Sequence, residues 1–153
     1  MKFSSLGAPA PVPVAQSFAI SISRTTVSLT YVSTGFGTST GIAGAATGKF
    51  FVFGQAILSS DTAADGAGFG IFYNTTGVPA NGTGIGTDLT AFSTQMTEGT
   101  AAQQFTLTGG TLVTVTLGIV QYFYIGFKAV TGGTASIIGL SRSFGTVLET
   151  AAS

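Results

Sequence analysis

From Phe18 onward apolar and polar residues alternate with a period of two, and that spacing restricts what the chain can fold into. Phe18, Ile20 and Ile22 alternate with Ala19, Ser21 and Ser23; Val27, Leu29 and Tyr31 alternate with Ser28 and Thr30. A period of two places one set of side chains on one face of a strand, and β-branched and aromatic residues suit the pleated backbone. The apolar phase slips from even to odd across Arg24-Thr25-Thr26, so a turn or bulge is expected there. Further strands are expected at residues 68–73, 103–108, 111–117, 120–130, 134–140 and 144–148, with a Gly/Thr/Ala loop over 35–48. Gly109-Gly110 and Gly132-Gly133 read as hairpin turns. The unbroken run Phe50-Phe51-Val52-Phe53 reads as a strand buried on both faces.

Ile85, Leu89, Phe92 and Met96 have helical spacing, but Gly84, Gly86 and the threonines at 87, 90, 94 and 97 are poor helix formers. A strand with a loop is preferred there, and a short helix stays open. About eight or nine short strands joined by turns predict an all-β domain, an antiparallel β-sandwich or a small barrel. In residues 120–130, Phe123, Ile125, Phe127 and Ala129 should face the core. Tyr122, Tyr124 and Lys128 take the other face, where a second sheet or another subunit would have to cover them.

Charge sets the functional expectations. Charged residues make up 7% of the chain, against roughly 25% in an average soluble protein. Five Lys+Arg balance five Asp+Glu, so the net charge is zero, which favours self-association. The chain is either a monomer with a hydroxyl-rich surface or a subunit whose surface is occupied by neighbours, and the second is favoured. With no basic stripe, a nucleic-acid partner is not expected. The Thr, Gln and Gly scattered through its apolar stretches do not suit a membrane helix. No apolar run near Met1 resembles a signal peptide, so cytoplasmic synthesis is expected.

Three of the four prolines fall in Gly-Ala-Pro-Ala-Pro-Val-Pro-Val, residues 7–14. Alternating proline forbids helix and favours an extended path. Residues 1–16 are thus expected to form an extended arm ahead of a sandwich at 17–153. The arm is either a loose tail or a segment laid on a neighbour, with Phe3, Leu6, Pro9, Pro11, Pro13 and Val14 as candidate partner-binding residues.

Motifs of chemistry fail in their context. Gly37-Thr38-Ser39-Thr40-Gly41 has the spacing of a nucleophile elbow, but the chain contains no histidine to act as base. Residues 43–50, Ala-Gly-Ala-Ala-Thr-Gly-Lys-Phe, approach a phosphate-binding loop. Alanine replaces its first glycine, phenylalanine its hydroxyl, and a strand follows instead of a helix. Without His or Cys the usual transition-metal ligands are missing, and Asp61 and Asp65 read as turn residues rather than a calcium site. No catalytic site, cofactor or metal is expected.

Residues 106–149 carry a resemblance. Leu107-Thr108-Gly109-Gly110 leads into Tyr122-Phe123-Tyr124-Ile125-Gly126-Phe127, then Gly132-Gly133-Thr134 and an apolar strand ending at Glu149. This pattern resembles the closing strands of TNF/C1q-like jelly rolls, which recur in bacteriophage head-decoration and fibre proteins. The resemblance implies a jelly-roll homotrimer with aromatic residues meeting at the threefold axis, and Tyr122 and Tyr124 as interface candidates. It further implies a capsid decoration (cement) protein on the outer capsid surface of the virion, with the major capsid protein as partner. A tail-fibre or receptor-binding head domain is the alternative, followed by a surface-filament subunit joined by strand exchange.

Overall fold

A computed structural model describes residues 10–151. Its first strands are β1 (Ala15–Ala19), β2 (Arg24–Thr26), β3 (Val32–Gly37), β4 (Ile42–Ala43) and β5 (Lys49–Ser60). β6 (Gly66–Asn74), β7 (Leu89–Thr97), β8 (Phe105–Thr114), β9 (Val120–Ala129), β10 (Ala135–Ile137) and β11 (Phe144–Glu149) follow. No helix occurs among the described residues. The strands form two antiparallel sheets packed face to face as a jelly-roll β-sandwich. In the first sheet β5 is central: β8 pairs along one edge, while β11 and then β10 pair along the other, with β1 beyond β11 and β2 beyond β10. The second sheet runs β3-β9-β6-β7, with β4 added to β9.

The core lies between the sheets. Phe50, Val52 and Leu58 of β5 meet Phe69 and Ile71 of β6 and Phe123, Ile125 and Phe127 of β9, all fully buried. Each such side chain contributes roughly 1.5–3 kcal/mol through burial. Phe50 and Phe123 touch across the sheets with ring centroids 5.9 Å apart. The inward set expected for β9 is the one observed.

Several expected elements differ, each for a local reason. Residues 27–31 alternate but form no strand, because hydroxyls compete for the backbone. Ser28 N–H donates to Thr26 Oγ1, Thr30 N–H to Ser28 Oγ, and Ser28 Oγ to Thr30 O. Val27 and Leu29 are left exposed, and β2 forms where the turn was expected. The expected loop over 35–48 contains the end of β3 and the short β4. Gly109-Gly110 is no turn: β8 runs straight through it, paired with β5. A Cβ on Gly109 would stand 2.4 Å from the Phe92 ring, so this glycine is needed for close packing rather than for a bend. Gly132-Gly133 joins β9 of one sheet to β10 of the other, a crossover rather than a hairpin. Residues 89–97 settle as strand β7. β5 is covered on one face only: Phe50 and Val52 point inward, while Phe51 is 43% exposed.

Candidate functional site

All five carboxylates accept hydrogen bonds from their own chain, although Glu98 Oε2 is buried without a partner. Glu149 is the most heavily bonded. Its Oε1 accepts the N–H groups of Ala46 (2.9 Å), Thr47 (2.8 Å) and Gly48 (2.8 Å), and its Oε2 those of Ala45 (3.0 Å) and Val14 (3.2 Å). The segment that approaches a phosphate loop in sequence therefore does hold an anion, the chain's own carboxylate. Burial pushes the Glu149 carboxyl up, but the backbone donors outweigh it and bring it down to about 2.

Asp65 lies between sheets in the same manner. Thr131 N–H and Oγ1 donate to its Oδ1 at 2.6 and 2.7 Å, and Gly133 N–H and Ser60 Oγ to its Oδ2 at 2.6 and 3.1 Å. Burial opposes ionisation there too, yet the Thr131, Gly66 and Gly133 donors hold the carboxyl well below its ordinary range. Glu98 Oε1 accepts Ser60 N–H, Asp61 Oδ1 accepts Thr134 N–H, and Asp88 Oδ2 accepts from Asn74 and Tyr124. Among the described residues no group of three or more acidic side chains is placed to hold a metal ion.

The outward face of the second sheet holds the two predicted interface tyrosines, and the structure separates them. Tyr124 is fully buried by its own chain: its ring lies 6.1 Å from that of Phe72, and its hydroxyl donates to Asp88. Burial and the Asp88 carboxylate both push that hydroxyl upward, keeping it protonated. The cover assigned to a neighbouring subunit is thus supplied for Tyr124 by the loop before β7. That loop is held against Tyr31, where Ile85 N–H donates to the Tyr31 carbonyl at 3.2 Å. Tyr122 remains half-buried beside Gly41.

The outward face of the first sheet has no such cover among the described residues. Strand register sets its side chains in rows. Leu112, Phe51, Leu148 and Ala15 lie side by side across β8, β5, β11 and β1. The next row is Gly110, Phe53, Thr146 and Ser17, and the next Thr108, Gln55, Phe144 and Ala19. None of these side chains is ionisable. Leu112 is 65% exposed and Leu148 46%, and the Phe51 and Phe53 rings sit 5.5 Å apart. Gly110, lacking a side chain, leaves a hollow beside Phe53 that Phe51, Gln55 and Phe144 line. The sequence marked this face only indirectly, through a β5 run apolar in both phases.

Of the arm candidates, Phe3, Leu6 and Pro9 lie outside the described residues. Pro11 is exposed, Pro13 and Val14 half-buried, and Val14 is tied to Glu149 through both its N–H and its carbonyl, which accepts Glu149 N–H at 2.8 Å.

The two antiparallel sheets and their shared core define a jelly-roll β-sandwich. Among solved structures the chain is similar to Eiger TNF from S. frugiperda, with a TM-score of 0.61 and 10% identity over 92% of this chain and 94% of that one. It also aligns to latent dimeric PorU from Porphyromonas gingivalis (TM-score 0.46, 11% identity, 97% of this chain, 14% of that one). A chain of infectious bursal disease virus, Gx strain, gives 0.45 and 11% over 97% of this chain and 40% of that one. At these identities the likeness is one of fold alone. No protein-family model matches the chain, and no curated protein matches it in sequence.

Proposed function

We propose that the chain is a structural virion protein, a capsid decoration protein that binds and stabilises the outer surface of a phage capsid as a homotrimer. The observation that carries this reading is the outward face of the first sheet, where Leu112, Phe51 and Leu148 lie side by side and exposed, with Lys49 in the row at one end and no cover from the described residues. Exposed apolar surface of this kind marks a contact with another protein. A cyclic trimer would bury the same patch on every copy, so the subunit contact belongs at Phe51, Phe53 and Leu112, with Tyr122 at most on its periphery. The arm, residues 1–16, would reach the major capsid protein. The role is mechanical and needs no catalytic group: buried area and backbone hydrogen bonds hold neighbouring capsomers together. The phage assignment rests on the sequence resemblance together with the jelly-roll fold.

Light scattering on the purified protein should report three times 15.3 kDa, and a strict monomer overturns the trimer. Deleting residues 1–16 should abolish capsid binding; unchanged occupancy removes the arm from the mechanism. Because so few charges are involved, binding should change little with salt.

A further inference from the structure

We infer that residues 10–14 form a strand able to pair on one side only, and that its partner is the open β8 edge of a second copy of the chain. This deepens the assembly reading above and rests on it. In extended backbone a residue turns its N–H and C=O to the same side, and the next residue turns its own to the opposite side. Glu149 N–H donates to the Val14 carbonyl and Ile20 N–H to the Ser143 carbonyl, so even-numbered residues here face β11. Continued outward in the same register, Ala10 and Val12 keep both groups on that side; Val12, opposite Ala151, has no backbone partner among the described residues, and the position opposite Ala10 lies outside them. Odd positions 11 and 13 turn to the other side, and both are proline, with no N–H to give. The arm can therefore dock on a sheet edge but cannot accept a further strand.

The same alternation shows that β8 has an edge able to receive it. Thr150 N–H donates to the Lys49 carbonyl and Ile138 N–H to the Ile57 carbonyl, so odd residues of β5 face β11 and β10. Even residues of β5 then face β8, where register pairs them with Phe105, Leu107, Gly109, Thr111 and Val113. Thr106, Thr108, Gly110, Leu112 and Thr114 turn their N–H and C=O groups outward, and β8 pairs with no other strand among the described residues. The edge carries no charge and no proline, the features that usually block strand addition.

The pairing cannot form within one chain. A strand added beyond β8 would lie about four strand spacings, roughly 19 Å, from β1. Val12 is two residues from Val14, which Glu149 pins, and that gives a reach of about 7 Å. Another chain must supply the edge; in the proposed homotrimer β8 of a second copy offers one, leaving the arm before residue 10 for the capsid protein.

The chain has no cysteine, so cross-linking is specific. Protomers carrying Val12→Cys are mixed with protomers carrying Leu112→Cys or Thr108→Cys, oxidised, and digested for mass spectrometry. A disulfide between position 12 and a β8 position is expected, reduced about tenfold when Ala10→Pro removes the neighbouring donor. Amide exchange at Ala10 and Val12 should also slow about tenfold in the oligomer relative to the diluted monomer. An oligomer by light scattering with no such link and no slowed exchange overturns the inference while leaving the assembly reading in place. A strict monomer overturns both.

Discussion

The two sheets present opposite outer faces, and the contrast indicates what the chain keeps for itself. On the second sheet, Tyr124 and Phe72 would be exposed aromatics, but the loop before β7 folds over them and Asp88 takes the Tyr124 proton donor. On the first, Phe51 and Leu112 stay exposed and no loop of the described residues covers them. The described residues satisfy the first aromatic face internally, and the proposed assembly would satisfy the second through a neighbour.

The largest effect should come from breaking that asymmetry. Phe51→Asp puts a carboxylate in the centre of the bare face, beside Leu112 and Leu148. In an assembled state the charge is desolvated without a partner, at a cost of roughly 3–5 kcal/mol, so sedimentation should show dissociation to monomer. The side chain points away from the core, so thermal melting of the monomer should move little. Loss of the fold together with the oligomer would mean that the face is structural rather than associative.

Glu149 comes next: buried in the inward phase of β11 and paired with Phe50, it fixes the loop before β5 and the root of the arm. Glu149→Gln leaves one acceptor oxygen for several converging N–H groups and should cost about 3 kcal/mol in stability. The pH dependence follows from the direction of its shift. The unfolded carboxyl, near its ordinary 4.5, binds a proton before the folded one at about 2. Its stabilisation is therefore present above about pH 4.5 and is lost as pH falls toward 2. Asp65 is shifted in the same direction and adds to the same acid limb. Chemical denaturation between pH 2 and 6 should show stability rising with pH, with a shallower rise in Glu149→Gln; identical slopes would remove Glu149 from the account.

How legible these features were in the sequence differs between the faces for the same physical reason. Alternation located β9 and its inward set, because one buried face fixes the phase of a strand. It misread residues 27–31, where Ser28 and Thr30 satisfy the backbone locally. It took Gly109-Gly110 for a turn, because the reason for glycine there is the Phe92 ring on the other sheet. Near the candidate site the near-phosphate loop was visible, but its occupant, Glu149, lies about a hundred residues away in the chain, and no local pattern links the two. Tyr124 was placed on the correct face, but a loop that folds back over its own sheet leaves no periodic signal.

The smallest effect tests the covered face. Asp88→Ala removes the acceptor for both Tyr124 Oη and Asn74 Nδ2. A buried hydroxyl left without a partner costs about 1–3 kcal/mol, and the Tyr124 side chain is fully buried. The melting temperature should fall, and the Tyr124 hydroxyl, freed from the neighbouring negative charge, should ionise at lower pH by absorbance titration. Tyr124→Phe in the same background should restore part of the lost stability, since it removes the orphaned hydroxyl while keeping the ring against Phe72. Oligomer size should be unchanged in both variants, because the Tyr124 side chain is buried within its own chain. If instead Asp88→Ala dissociates the assembly as Phe51→Asp does, the covered and bare faces are not independent, and the loop before β7 takes part in association.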